Sequence, residues 1–306
     1  MALKIITDSA SDLPKQIIDE YQVTVIPTPV VINEKDYFDG ETIFPKEFYD
    51  ILRKGTEVRT YHINSYMFYQ HFEPFAKAHD EVIYLCFSTG IAGTFNAANV
   101  ARRELLDTYP DFDLTILDTK CASIGFGVVT YLALLMQKNG ASKQEIIDGI
   151  VFHCAHMEHL FTVETLFYLV KGGRISKVAG YAGGILDIKP IIVVDEIGAL
   201  KATEKVRGRR HSLKRLVDMV GERGVDLEDQ VVGFVHGDCE EEMNEVMEEV
   251  KERYHVTRCM TNFVGCAIGA HTGPGIIGIV FLNAKSPYQK YFLKDSEELA
   301  EHTTKQ

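Results

Sequence analysis

Three short stretches of the chain combine hydroxyls, carboxylates and glycine in a way that suits anion binding. They are Asp8-Ser9-Ala10-Ser11-Asp12, Ser88-Thr89-Gly90-Ile91-Ala92-Gly93-Thr94 and Asp118-Thr119-Lys120-Cys121-Ala122-Ser123. Each follows an apolar run that reads as a strand and leads into a segment that reads as a helix. Free N–H groups at helix N-termini, aided by the helix dipole, attract carboxylates and phosphates. Ser, Thr and Asp at such places also serve simply as helix caps, so a single loop favours the cap. Three loops on one sheet edge shift the reading toward a ligand. A second concentration of chemistry lies between Lys171 and Arg215, with eleven Lys or Arg against four Asp or Glu, a local balance of +7. Since the whole chain carries −12, the remainder stands at −19. A basic island in an acidic chain fits a phosphate or an acidic partner surface, and fits a solvated hairpin and helix face equally well.

Other chemistries find little support. No GxxxxGK[ST], HExxH or GxSxG occurs, and Gly125-Phe126-Gly127 lacks the third glycine of a dinucleotide fingerprint. His153, His156 and His159 have i, i+3, i+6 spacing on an expected helix, where a polar face is favoured over a metal site. The six cysteines are scattered without CxxC spacing and read as small buried hydrophobes in a reducing compartment. Net charge argues against nucleic acid and against anionic membranes beyond transient contact. No apolar run is long enough to span a bilayer, and the N-terminus lacks a leader's long apolar region, so the expected location is cytoplasmic.

The elements that must position these residues follow from periodicity. A chain of 306 residues exceeds the usual size of a single core. The first half alternates strand-like runs (LKIIT, VTVIPTPVVI, EVIYLCF, LTILDT) with amphipathic stretches, as βαβ units do. In the parallel sheet so expected, all three loops lie at the carboxyl edge, where open α/β folds bind ligands. The second half reads as a helix over HLFTVETLFYLVKGGRISK, then a hairpin turning at Glu196-Ile197-Gly198. Two helices and three strands follow. The expected fold is therefore two-domain α/β. Residues 1–155 form an N-terminal parallel, Rossmann-like α/β sheet, and residues 156–285 a C-terminal α+β domain with a mixed or antiparallel sheet. Residues 286–306 are expected as a solvated tail helix.

Read in order, the motifs resemble the DegV family over about residues 1–285. They are Thr7-Asp8-Ser9, Asp12-Leu13-Pro14, Phe87-Ser88-Thr89 with Gly93-Thr94, and Asp118-Thr119 with Ser123. Leu169-Val170-Lys171-Gly172-Gly173-Arg174-Ile175, Ile188-Lys189-Pro190-Ile191, Lys205-Val206-Arg207 and His271-Thr272-Gly273-Pro274-Gly275 complete the series. The resemblance implies a non-enzymatic carrier without cofactor or metal, binding a long-chain fatty acid between its domains. The carboxylate would be held by loop hydroxyls and presented to a dihydroxyacetone-kinase-like fatty acid kinase for acyl-phosphate formation. It further implies lipid contacts from Thr60, Tyr61, His62, Ser88, Thr89, Ala92, Gly93, Thr94, Ser123 and His271. Arg174, Arg207 and His271 would serve phosphoryl transfer or the partner; as a histidine, His271 can donate a hydrogen bond near the carboxyl group and is able to carry charge near neutral pH.

Two places depart from the family pattern. Thr60-Tyr61-His62-Ile63 replaces Thr-Ser-Gln-Pro, and Ala92 replaces the loop serine. A hydrogen bond to a charged group contributes about 1.5–3 kcal/mol, so an order of magnitude in affinity is at stake unless Thr60, Tyr61 or His62 compensates. The competing expectation is an enzyme or sensor for a small phosphorylated or carboxylated metabolite, with Asp8, Asp118 and His271 as acid–base groups.

Overall fold

Alternating apolar runs produce the expected βαβ succession, in a computed structural model that describes residues 2–175 and 187–292. The first half contains β1 (Leu3–Asp8), α1 (Lys15–Tyr21), β2 (Thr24–Ile26), β3 (Pro29–Ile32), β4 (Lys35–Phe38), α2 (Pro45–Arg53) and β5 (Val58–Thr60). It continues with α3 (Ser65–Ala78), β6 (Glu81–Cys86), α4 (Thr94–Thr108), β7 (Leu114–Asp118), α5 (Ser123–Lys138) and α6 (Lys143–His156). Strands β2-β1-β6-β7 form an all-parallel sheet, so the three polar loops do share its carboxyl edge.

The second half adds β8 (Met157–Thr162), α7 (Phe167–Lys171), β9 (Ile188–Val194), β10 (Leu200–Arg207) and α8 (Arg209–Arg223). Then come β11 (Val231–His236), α9 (Glu240–Tyr254), β12 (Arg258–Phe263), α10 (Cys266–Thr272) and β13 (Ile277–Leu282). Its sheet has the order β10-β9-β8-β13-β11-β12 and is antiparallel except for the β11–β12 pair, hence mixed. This two-domain α/β architecture matches the expected fold class.

The layers are set by α5. Every residue from Ile124 to Met136 is buried, as befits a helix that is apolar all round. On one side α5 meets β1, and on the other β8, β11, β12 and β13. Gly125 and Gly127 serve this packing: added methyl groups would lie 2.2 Å from His159 Nε2 and 2.5 Å from the Ser11 carbonyl. The outer faces carry their own cores, Phe68, Phe72, Tyr84 and Leu105 under α3 and α4, and Leu216, Val220, Phe234 and Val250 under α8 and α9.

Several elements differ from expectation. Residues 157–162 form a strand at the centre of the mixed sheet, not the start of a helix, because the Leu160-Phe161-Thr162 run is buried on both faces. His159 is therefore in a strand and His153 is buried against Ser286 (Nε2 to Oγ, 2.8 Å), so the three histidines share no polar helix face. Among the described residues no group of His, Cys, Asp and Glu could hold a metal. The run VTVIPTPVVI splits in two, since Pro27 and Pro29 interrupt the ladder. Its second part, β3, joins β4 and β5 in a separate antiparallel sheet. Residues 286–292 are no solvated helix: Tyr291 and Phe292 are buried, and the Tyr291 hydroxyl donates to Glu145 (2.8 Å). The rest of the expected tail lies outside the described residues.

Candidate ligand-binding cavity

Between the two sheets, at the carboxyl edge of the parallel one, lies a cavity of about 220 Å³. One wall is the inner face of the mixed sheet, with Phe161, Val194, Leu200, Val235 and Val280. Ile124 of α5, Phe87 and Ile91 stand opposite. The remaining wall is α10, contributing Ala267, Ile268, His271 and Thr272, with Leu169 beside it. Such a largely apolar chamber with a few polar groups suits a molecule with a long apolar body.

The polar groups gather around His271. Its Nε2 lies 2.7 Å from Thr60 Oγ1 at the end of β5, which ties α10 to the small antiparallel sheet. Its Nδ1 is buried without a hydrogen-bond partner. The approach of α7 to this ring requires Gly172, where an added methyl would sit 2.2 Å from Nδ1. Arg174 lines the same cavity, half-buried. Its Nη1 donates to the Gly172 carbonyl (2.6 Å), and its buried Nε has no partner. Burial lowers the Arg174 pKa, as expected for a cation with reduced access to water. Burial first, and the Arg174 charge second, push His271 down to about 4. The imidazole is therefore neutral at pH 7, although a histidine's type alone allows charge there.

The loop after β6 supplies Ile91, Ala92, Gly93 and Thr94. Helix α4 starts at Thr94 without a side-chain cap, so its first N–H groups open at the cavity edge. Tyr61 and His62 line the cavity and are exposed, which marks this as the side that meets solvent. Ser123 also lines it, but its hydroxyl is engaged with the Asp12 carboxylate.

Two expected lipid contacts, Ser88 and Thr89, do not line the cavity, and neither does Arg207, expected to serve the partner. Ser88 is buried and donates its hydroxyl to the Gly198 carbonyl (2.7 Å), fastening the tip of the β9–β10 hairpin to the loop. Thr89 Oγ1 donates to Asp118 Oδ2 (2.6 Å), and Asp118 also accepts from the Lys120 N–H (3.1 Å). Arg207, exposed at the end of β10, does not line the cavity. Asp118 is likewise absent from the lining, so Asp8, Asp118 and His271 do not meet around it as an acid–base set. Asp8 does line it but accepts from Tyr84 Oη (2.8 Å), Phe87 N and Ala10 N, and burial raises its pKa to about 6. The basic island is partly neutralised, mostly by carboxylates outside it: Lys189 pairs with Glu164, Arg209 with Glu242, and Arg215 with Glu204 and Glu222.

Two lining residues carried no usable signal. His159 lies in the lining with both ring nitrogens engaged, Nδ1 near the Met157 carbonyl and Nε2 accepting from Ala122 N (3.3 Å). Burial lowers its pKa to about 4. Thr28, between the two prolines, also lines the cavity.

A family model described as "Uncharacterised protein, DegV family" matches residues 2–284. The chain belongs to the DegV family. A DegV domain-containing protein of Clostridium perfringens is 37% identical over 286 residues, covering 92% of this chain and 98% of the relative. Among solved structures, a fatty-acid-binding DegV protein from Thermus thermophilus is 26% identical with a TM-score of 0.83. A stearic-acid-binding protein from Eubacterium ventriosum is 27% identical with a TM-score of 0.84. Each covers 92% of this DegV chain and 99% of its own. Among the described residues, no helix of this DegV protein is long and apolar enough to cross a membrane.

Proposed function

We propose that this DegV protein holds a long-chain fatty acid in the cavity between its sheets and presents the carboxyl group to a separate, dihydroxyacetone-kinase-like fatty acid kinase. The observation that carries the reading is the grouping of Arg174, His271 and Thr60 at one apolar chamber, with an unpartnered, buried Nε–H donor on Arg174. A half-buried guanidinium with no carboxylate partner among the described residues is best relieved by one from a ligand. In the neutral tautomer that carries its proton on Nε2, His271 donates to Thr60 Oγ1 and the threonine proton is free to donate to that ligand, while Nδ1 is then an acceptor and does not bond the carboxylate. The acyl chain would run between α5 and the mixed sheet, leaving the head group beside exposed Tyr61, His62 and Gly93. Fatty acids in solved DegV relatives support the ligand class.

In the proposed transfer, a carboxylate oxygen attacks the γ-phosphorus of ATP held by the kinase, and ADP leaves. The carrier's part is to orient the oxygen and supply charge, with Arg207 on its surface available to the partner's phosphates. Two titrations test this. Palmitate should bind with 1:1 stoichiometry and its methyl ester at least tenfold more weakly, since the ester cannot pair with Arg174. ATP should remain unconsumed until a kinase of the stated class is added. Equal binding of the ester would refute carboxylate recognition, and steady ATP turnover by the chain alone would favour the enzyme reading.

A further inference from the structure

Helix α10 forms a wall of the cavity and carries His271 in its last turn, yet it has no cap of its own. Its N-cap is Gly265, and the first N–H groups are taken by carboxylates from the other half of the molecule. Asp39 Oδ1 accepts from Cys266 N (2.9 Å) and Oδ2 from Ala267 N (3.1 Å). Asp12 Oδ1 accepts from Gly265 N (2.9 Å), while its other oxygen takes the Ser123 hydroxyl from the α5 side of the cavity. The Asp12 carbonyl further accepts from Asn262 Nδ2 (2.8 Å).

Both carboxylates are buried, at 6% and 4% exposure, and among the described residues neither pairs with a Lys or Arg. Two adjacent carboxylates taken out of water without a cation are costly, and a serine or asparagine at residue 265 would cap α10 at less cost. Gly265 is what admits them: a methyl group there would lie 2.6 Å from Asp12 Oδ1 and 3.0 Å from Asp39 Oδ2. What the costly arrangement achieves is an anchor across the cavity. It fixes one end of a seven-residue helix whose other end places His271 Nε2 at 2.7 Å from Thr60. So short a helix moves as a rigid body, and a small rotation at Gly265 would displace the imidazole.

We propose that Asp12 and Asp39 are positioning residues that act through α10 to set His271, and through Ser123 the facing wall, for the ligand's carboxylate. This rests on the carboxylate-binding reading given above. In Asp39→Asn the amide can accept from one N–H but turns its own N–H₂ toward the other. Palmitate affinity should fall roughly tenfold, as for loss of one charge-assisted bond, in a protein whose circular dichroism is unchanged. In a His271→Ala background the same substitution should change affinity less than twofold, because the residue it acts through is gone. Additive losses would overturn the proposal. The imidazole ¹⁵N signals of His271 should also shift in the ligand-free Asp39→Asn protein. Asp12→Asn is the second variant should Asn at position 39 prevent folding. Unchanged His271 signals in the folded variants overturn the positioning role, whereas failure of the wild-type chain to bind palmitate overturns the functional reading alone.

Discussion

Replacing Arg174 with methionine removes the guanidinium while keeping an unbranched apolar stem against Leu169 and the cavity wall. Two opposing effects bear on the ligand-free protein. One hydrogen bond, from the charged Nη1 to the Gly172 carbonyl, is lost, at about 1.5–3 kcal/mol reduced by solvent screening of the half-exposed group. Against this, a half-buried cation with an unpartnered Nε and no carboxylate among the described residues is removed, which relieves desolvation. The melting temperature should therefore change little. Ligand binding has no such offset. A hydrogen bond to a charged partner is worth about 1.5–3 kcal/mol, and each 1.4 kcal/mol is a factor of ten, so palmitate affinity should fall roughly 10- to 150-fold. Isothermal titration beside a thermal scan separates the two. Affinity within twofold of wild type would refute the assignment of Arg174 to the carboxylate. A large fall in melting temperature with the affinity loss would show that Arg174 merely holds α7 in place.

Ala92→Ser places a hydroxyl at the cavity edge before the α4 N-terminus and should tighten palmitate binding by up to about tenfold; unchanged or weaker affinity in a competition assay would count against a head group beside Ala92. His271 should show no imidazole titration above about pH 5 in the ligand-free protein, followed by ¹⁵N NMR, since burial and Arg174 hold it near 4; a midpoint near 6.5 would contradict the described burial. The same sign governs stability. His153, His159 and His271, lowered to about 3, 4 and 4, contribute stability that is present above pH 6.5 and lost as pH falls through 4. Asp8, raised to about 6, works oppositely, its stabilising share present at low pH and lost as pH rises through 6. Denaturant unfolding at pH 7 and 4.5 should thus show a smaller acid loss for His153→Phe than for wild type, and an equal loss would contradict the buried, neutral state of His153.

The βαβ half and the β9–β10 hairpin were legible because period-2 and period-3.6 patterns there are bounded by polar turns. The strand β8 was not: Met157–Thr162 is buried except at Glu158, and its mixture of apolar residues with Glu158, His159 and Thr162 shows neither a strand's period nor a helix's. Helix α10 was missed because Cys266–Thr272 is short, rich in small residues and capped by Asp12 and Asp39 from more than two hundred positions away. At the cavity, Thr60, Ala92, Thr94, Arg174 and His271, far apart in the sequence, line one chamber. Ser88 and Thr89, which the resemblance implies as lipid contacts, use their hydroxyls to stitch loops to one another; a hydroxyl's type does not say whether its partner is a ligand, a carboxylate or a backbone carbonyl. Nor does residue type give the neutral state of His271, which depends on burial and on Arg174, nearly a hundred residues away in sequence.

The most direct test of a cavity built for a fatty acid is mass spectrometry of small molecules extracted from the purified protein, with native mass spectrometry for stoichiometry. One long-chain fatty acid per chain is expected, lost or much reduced in Arg174→Met. A polar phosphorylated metabolite in its place, or an empty cavity that also rejects added palmitate, would contradict it.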